Sequence, residues 1–270
     1  MPPRAKPIPR ESAVDKSTLG GILLAAAGIL FGLMIEGGRI GQILQPTAAM
    51  IVFGGTLGAV MVQFPMATVL KAGKSLTQVF LEPANDPGKL VNTLVGYATK
   101  ARKDGIVSLD AQVNDIQDPF LKKALMLAID GTEPQELRKI MEFDLDSKAE
   151  EEERIPQVFE SAGGFAPTIG IIGAVLGLIQ VMQHLENIDE VGKGIAVAFV
   201  ATIYGVGSAN IFLLPSSGKL KIRMRQEQAL REMTLEGVAS ILEGINPRML
   251  ETKLQGFMEE QHQKQGATPA

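Results

Sequence analysis

Charged side chains are absent from four long stretches of the chain. The stretches without Asp, Glu, Lys or Arg are Ser17–Ile35 (19 residues), Ile40–Leu70 (31), Ser161–Leu185 (25) and Gly194–Gly218 (25). A helix of roughly 20 apolar residues crosses a bilayer core of about 30 Å. The pattern predicts four transmembrane helices, near residues 17–35, 47–64, 163–182 and 194–214. A buried core helix would explain one such stretch, but four stretches separated by charged segments favour a membrane protein.

The four spans divide the chain into five parts. These are an arm at residues 1–16, the first two spans at 17–64, a large segment at 65–160, the last two spans at 161–215 and a tail at 216–270. The first span follows basic residues, as a signal peptide would, but its 19 residues exceed a normal signal core, so we treat it as a retained span.

Proline and glycine positions predict helices in the large segment. We expect a loop at 83–87, a turn at Asp104-Gly105, a helix start at Asp118-Pro119 and a break at 131–134. The tail is predicted to form a charged helix from Lys219 to about residue 245. No alternating run indicates a strand. The predicted fold class is all-α, a four-span helical membrane protein with a large helical segment between spans 2 and 3 and a helical tail.

Lysine and arginine positions predict the orientation. The arm carries four of these residues, residues 65–160 carry twelve, and the tail after residue 218 carries eight. The connections 36–46 and 183–193 hold only Arg39 and Lys193. Because basic residues stay on the cytoplasmic side, both termini, the large segment and the tail are predicted to be cytoplasmic, in a multi-pass protein of the inner membrane.

The amino-acid composition argues against several classes of function. The chain has 26 basic and 30 acidic residues, so there is no strong positive field for nucleic acid. It has no Cys and only two His, which leaves little material for metal sites, nucleophiles or catalytic triads. We therefore expect no enzyme activity, no catalytic residues, no metal and no cofactor.

Small residues are frequent in the spans. Gly173 and Gly177 are four residues apart, and Gly163, Pro167, Gly170, Ala174 and Gly177 recur at helical spacing. Helices in lipid associate through close backbone contact, so Gly170, Gly173 and Gly177 predict a packing face. That face fits packing within one chain, and it also fits a helix that lines an axis shared by several subunits.

No Asp, Glu, Lys or Arg lies inside any predicted span, although proteins that carry ions through a bilayer usually have an ionisable residue there. Hydroxyl groups remain. At 1.5 Å per residue, Ala174 lies roughly 20 Å and Thr202 roughly 24 Å from the cytoplasmic ends of their spans, so the two residues are predicted at one depth. Thr202 could instead bond the carbonyl four residues earlier in its own helix.

Several segments form one ordered set of motifs: ESAGGFAPTIGIIGAVLGL at 160–178, VATIYG at 200–205, LP at 214–215, EG at 236–237, GINPR at 244–248, ARKDG at 101–105 and SLD at 108–110. These motifs closely resemble those of the MotA family of flagellar stator subunits, within the MotA/TolQ/ExbB ion-channel group. The resemblance covers nearly all of the chain after residue 17. TolQ and ExbB relatives look instead like three-span proteins.

The resemblance implies a ring, apparently a pentamer, around the helices of a MotB-like partner whose membrane Asp carries the ion. Ion flow would turn the ring and produce torque on the rotor protein FliG. Arg102 and Asp110 match the family's rotor-contacting charged pair, the second of which is commonly Glu. A local interpretation remains open, because Arg102 would lie at a helix end and Asp110 in a helix turn capped by Ser108.

The resemblance also assigns the ion path and coupling residues. Pro167 and Pro215 match prolines tied to coupling, although a plain helix-end role fits them equally. Sodium-driven relatives carry Thr at the places of Ala174 and Ala201, and proton-driven members look like this chain. Because Ala offers no oxygen ligand to a hard cation, the sequence favours protons, with the Thr202 hydroxyl near the partner's Asp.

Two other functions stay open at this point. One is a TolQ- or ExbB-like ring that energises a non-flagellar machine, and the other is a membrane scaffold without ion flow. The acidic run Glu150–Glu153 and the basic cluster after span 4 are most simply solvated or headgroup-facing helix surfaces.

Overall fold

The computed structural model describes residues 14–82 and 86–266, and in these ranges the chain is almost entirely helical. The principal helices, numbered along the chain, are α1 (Lys16–Ile35), α2 (Pro46–Gln63), α3 (Met66–Phe80), α4 (Pro87–Asp104), α5 (Asp110–Val113), α6 (Pro119–Ile129), α7 (Pro134–Gln183), α8 (Ile188–Leu242) and α9 (Pro247–Gly266). Short 3-10 turns occupy Ile40–Ile43 and Ile106–Leu109. Apart from one antiparallel bridge between Val14 and Leu81, the described residues form no β-structure.

Four of these helices are long and apolar enough to cross a membrane, which confirms the four predicted spans. Spans 1 and 2 are α1 and α2. Span 3 is the carboxyl-terminal part of the 50-residue helix α7, and span 4 is the amino-terminal part of the 55-residue helix α8. The predicted helix that begins at Lys219 is therefore a continuation of span 4, because no residue between span and tail interrupts the helix.

Short polar side chains and glycines fix several helix ends as predicted. The Asp118 carboxylate accepts bonds from the backbone N–H groups of Phe120 at 2.8 Å and Leu121 at 3.3 Å, so α6 begins at Pro119. Helix α4 ends at Asp104 because Gly105 has a φ of +84°, which favours glycine. Of the predicted loop at 83–87, residues 83–85 lie outside the described residues, as do residues 1–13 of the arm.

Two π-helical turns interrupt the membrane-spanning helices. They occupy Met50–Gly54 in α2 and Ser208–Leu213 in α8. Across each π-turn, the side chains that follow lie on a different face of the helix from the one that the preceding spacing would predict. Such π-turns are frequent at functional sites.

The described residues group into two compact units. The first comprises 14–82 and 153–222. Its larger core joins α2, α3, α7 and α8 through Val60, Val79, Phe159, Ala162 and Leu220. Helix α3, which lies within the predicted segment 65–160, thus packs in the same unit as the spans.

The second unit comprises residues 86–152 and 223–266. Its core brings together α4, α6, α7, α8 and α9, and it includes the fully buried Leu94, Leu125, Leu137, Val238 and Leu254. This unit has its own hydrophobic core, as a domain requires.

Candidate functional site

Glycines bring the α7 and α8 backbones into direct contact in the first unit. A methyl group on Gly170 would lie 2.9 Å from the Ala201 carbonyl oxygen and 3.3 Å from the Gly205 Cα. A methyl group on Gly177 would lie 2.7 Å from the Gly194 carbonyl oxygen. Only glycine allows such an approach, so the two helices pack closely over several turns.

The same contacts show that the predicted ion-path residues lie at one position along the length of the α7–α8 pair, which we call their level. A Cβ on Gly173 would lie 2.7 Å from the Ala201 Cβ, and a Cβ on Gly170 would lie 3.5 Å from the Thr202 Cα. Ala174, which follows Gly173, is therefore close in height to Ala201 and Thr202. Ala201 is fully buried, and it clusters with Ala48 and Val52 of α2.

The Thr202 hydroxyl donates to the Ala198 carbonyl oxygen at 3.2 Å, the bond within its own helix that the sequence left open. This bond uses the hydroxyl proton and leaves the oxygen able to accept a further hydrogen bond. The half-buried Thr202 side chain can therefore contact a partner or a water as an acceptor.

Both predicted coupling prolines lie inside long helices rather than at their ends. Pro167 is within α7, and Pro215 is within α8, two residues after the π-turn. A Cβ on Gly163, one turn before Pro167, would lie 2.6 Å from the Leu214 side chain, so the two prolines occupy facing parts of the helix pair. Proline removes a backbone donor and weakens the helix locally, which permits bending at both positions.

The Tyr204 side chain ties the connection between spans 1 and 2 to span 4. Its hydroxyl donates to the Ile43 carbonyl oxygen at 2.5 Å and accepts from the Gln45 N–H at 3.3 Å. Its ring stacks on Phe53, with 5.9 Å between ring centroids. Sequence reasoning missed this contact because its partners are about 160 residues apart along the chain.

In the second unit, the turn after α4 presents the two residues of the predicted charged pair. Gly105 allows the backbone to reverse after α4, and the Ser108 hydroxyl donates to the Gly105 carbonyl oxygen at 2.6 Å. Arg102 and Asp110 are exposed on either side of this turn. Within the described part of the chain, neither residue forms an ion pair, so both charges are available to a partner.

Two details of the turn differ from the sequence interpretation. Ser108 does not cap the following helix, because its hydroxyl bonds backwards to Gly105 and Leu109 occupies the cap position. Val107 is 66% exposed between the two charges, while Leu109 is fully buried. No pattern in the sequence indicated that Val107 would point outward from an apolar turn.

Charged residues beside the spans are paired rather than merely solvated. The Asp15 carboxylate accepts from the Ser17 and Thr18 N–H groups at 3.1 and 3.0 Å, and it pairs with Lys219 of α8. The hydrogen bond from Lys219 holds the pKa of Asp15 well below its usual range. Lys221 pairs with Glu160 at 2.5 Å, so the basic cluster after span 4 binds carboxylates of the same unit.

The acidic run Glu150–Glu153 also includes a carboxylate that forms an ion pair. Glu152 forms a two-bond pair with Arg231 at 2.8 and 3.0 Å within the second unit. In that unit Arg138 donates to Glu236 at 2.6 and 3.2 Å. The bond from Arg138 is the main cause that lowers the pKa of Glu236 to about 2. The interpretation of the acidic run and basic cluster as solvated surfaces is thus incomplete, because Glu152 and Lys219 form part-buried bonds to Arg231 and Asp15.

These observations define a class: a helical protein with four helices suited to cross a membrane, two long helices packed through glycines and a second helical unit. Two family models match the chain. The model described as Motility protein A N-terminal matches residues 19–105, and that described as MotA/TolQ/ExbB proton channel family matches residues 112–233. The chain belongs to the MotA/TolQ/ExbB proton channel family.

Full-length relatives agree with this assignment. Motility protein A of Bacillus subtilis is 35% identical over 242 residues, which covers 89% of this chain and 90% of the relative. The structure of C. jejuni MotAB matches with a TM-score of 0.85 and 31% identity, over 90% of this chain and 95% of that one. The flagellar MotAB stator complex from Bacillus subtilis matches with a TM-score of 0.84 and 34% identity, over 94% and 100%. The resemblance stated from the sequence is confirmed.

Proposed function

We propose that this chain is a stator subunit of a flagellar motor, which forms an ion channel with a MotB-like partner and converts ion flow into torque on the rotor. The observation that carries the proposal is the match to the flagellar MotAB stator complex from Bacillus subtilis over 94% of the chain. No catalytic or cofactor role is needed, because the work is done by ion flow and movement.

The spans contain no Asp, Glu, Lys or Arg, so the partner must supply the group that carries the ion. We infer that several copies, five by the family resemblance, surround a MotB-like helix with a membrane Asp. The close contact between α7 and α8 would make each copy a rigid pair of helices. Each proton that crosses 100 mV releases about 2.3 kcal/mol, which is the energy available for movement.

The transported ion is a proton in this proposal. The level defined by Gly170 and Gly173 offers the small side chains of Ala174 and Ala201 and one hydroxyl, on Thr202. A sodium ion that loses water needs several oxygen ligands, and the two alanines supply none. A proton needs only the partner's carboxylate and a chain of water molecules.

Movement would be transmitted through Pro167 and Pro215. Protonation of the partner's Asp removes a charge beside the α7–α8 pair, and helices weakened at these prolines can bend in response. Their position inside continuous helices supports a bending role over a helix-end role.

The turn in the second unit would contact the rotor protein FliG. Arg102 and Asp110 offer an exposed positive and negative charge, free of ion pairs among the described residues, to opposite charges on the rotor. With the large segment and tail in the cytoplasm, as the basic residues predict, this turn lies on the side of the membrane where the rotor is.

The proposal is tested in a motile host that lacks its own stator subunits. The chain is produced with a MotB-like partner, and swimming speed is measured after sodium removal and after collapse of the proton gradient with a protonophore. We expect swimming to survive sodium removal and to stop when the proton gradient collapses. The variant A174T serves as a test of the ion assignment, since it adds one oxygen at the same level.

Swimming that depends on sodium would refute the proton assignment but leave the stator function intact. Failure to swim with every compatible partner, despite normal membrane insertion, would contradict the flagellar function. That result would favour a TolQ- or ExbB-like ring for a non-flagellar machine, or a scaffold without ion flow.

A further inference from the structure

Asn210 is an exposed amide in the membrane-spanning part of α8. Its Nδ2 donates to the Val206 carbonyl oxygen of its own helix at 3.0 Å. Its carbonyl oxygen Oδ1 accepts no hydrogen bond from the residues that the structure describes. The amide therefore has unused bonding capacity on a helix surface.

Hydrocarbon is an unfavourable environment for such a group. An amide without hydrogen-bond partners costs several kcal/mol in an apolar medium. Nearby hydroxyls avoid this cost by donating to their own helix, as Ser208 does to the Gly205 carbonyl oxygen at 3.2 Å. An amide has a second N–H and a carbonyl oxygen to satisfy, so one bond within the helix is not enough.

The position of Asn210 along α8 is equally informative. Asn210 is eight residues after Thr202 and nine before Lys219. At 1.5 Å per residue these separations are about 12 and about 14 Å. Thr202 and Val206 are four residues apart and lie near one face of the helix. The bond from the Asn210 amide to the Val206 carbonyl oxygen places the amide one turn further along the same helix. Asn210 thus lies about midway along α8 between the level of Thr202 and the first charged residue of the tail, Lys219.

Asn210 also lies inside the π-turn Ser208–Leu213, five residues before Pro215. A π-turn widens the helix and rotates the side chains that it carries. In this helix the rotated side chains include the one amide of span 4.

We propose that Asn210 is a positioning residue on the proton route, where its amide holds a water molecule between the Thr202 level and the cytoplasmic end of α8. This inference rests on the proposed function. The amide does not gain or lose a proton itself. It orients a water, which accepts a proton from one neighbouring water and passes another proton to the next, so that the water is unchanged after each transfer.

The test uses the full chain in complex with its MotB-like partner in cells. Proton entry is followed with a pH-sensitive fluorescent protein in the cytoplasm after a pulse of external acid, and assembly is followed by co-purification with the partner. The variant N210L removes the amide and keeps the side-chain size, and N210S restores one polar group. The matched control S208A removes a hydroxyl from the same π-turn that already bonds its own helix.

We expect N210L to assemble normally and to reduce proton entry about tenfold. The reason is that the free-energy barrier to proton transfer rises when no amide holds the water in place. N210S should recover most of the flux, and S208A should match the wild type. Equal flux in N210L and wild type would overturn the role of Asn210 alone. Loss of assembly in N210L but not in S208A would also overturn it, since the amide would then be a packing contact. A wild-type complex that admits no protons would refute the proton assignment of the proposed function, which is a different result from a loss of flux confined to N210L.

Discussion

At the scale of single residues, the ion pairs of the second unit stabilise the fold in a pH-dependent way. Glu236 receives two bonds from Arg138 and also pairs with Lys253 of α9, so one carboxylate joins three helices. These contacts favour the charged form, and the pKa of Glu236 falls from 4.5 to about 2. A carboxyl group whose pKa is lower in the folded state stabilises the protein above its unfolded pKa and loses that effect as the pH falls.

We therefore predict that E236Q lowers the thermal stability of the purified protein in detergent at neutral pH. The expected loss is roughly 1–3 kcal/mol, since Arg138 and Lys253 lose a charged partner. The difference from wild type should shrink as the pH drops from about 4.5 towards about 2, because wild-type Glu236 is then protonated as well.

The control for this prediction is E142Q, which neutralises an exposed carboxylate on α7, the helix that carries Arg138. It should change stability little at any pH. A difference between E236Q and wild type that stays constant down to pH values of about 2 would show that Glu236 does not carry the pH dependence.

At the scale of helices, the contact between α7 and α8 depends on glycine at specific positions. At Gly170 the obstacle to a side chain is backbone, the Ala201 carbonyl and the Gly205 Cα, which cannot move aside as a flexible side chain can. Gly164 lies on the same helix, yet a Cβ there would meet no atom within 4 Å. The two glycines therefore separate the effect of helix packing from that of helix propensity.

We predict that G170A destabilises the protein by about 1–3 kcal/mol, because the added methyl group forces the helices apart. G164A should be neutral or slightly stabilising, since alanine favours a helix over glycine. Thermal unfolding of both variants in detergent, together with swimming speed in the stator-less host, measures the difference. Equal unfolding temperatures for the two variants would contradict the packing argument.

At the scale of the whole molecule, the orientation follows from the basic residues and can be tested directly. The chain has no cysteine, so a single introduced cysteine reports on one position without removing others. Residue 186 lies in the connection between α7 and α8, and Lys103 lies near the turn at Gly105. The proposed topology places these two positions on opposite sides of the membrane.

We predict that E186C in spheroplasts reacts with a membrane-impermeant maleimide, while K103C and a cysteine at Thr268 react only after the membrane is opened. The physical reason is the positive-inside rule, since 24 of the 26 basic residues lie in the arm, the large segment and the tail. Labelling of K103C in intact spheroplasts would invert the topology and remove the proposed rotor contact from the cytoplasm.

The sequence predicted a large part of this architecture because its signals are local. Charge-free stretches of membrane length identified the four spans, and Asp118-Pro119 and Asp104-Gly105 identified helix ends. The continuity of α7 and of α8 was missed, since nothing in a hydropathy pattern distinguishes a helix that stops at the membrane surface from one that continues. The family motifs supplied the candidate residues, whose roles stay predictions.

By itself, the sequence determined that the chain crosses the membrane four times, is helical, and carries no Asp, Glu, Lys or Arg inside its spans. These properties depend on side-chain chemistry summed over consecutive residues. Only the tertiary structure decided which groups meet: Gly170 with the Ala201 carbonyl, Tyr204 with Ile43, Asp15 with Lys219, and the Asn210 Nδ2 with the Val206 carbonyl. Such contacts join residues distant in the chain, or depend on which face a π-turn exposes, and so they arise only when the helices pack.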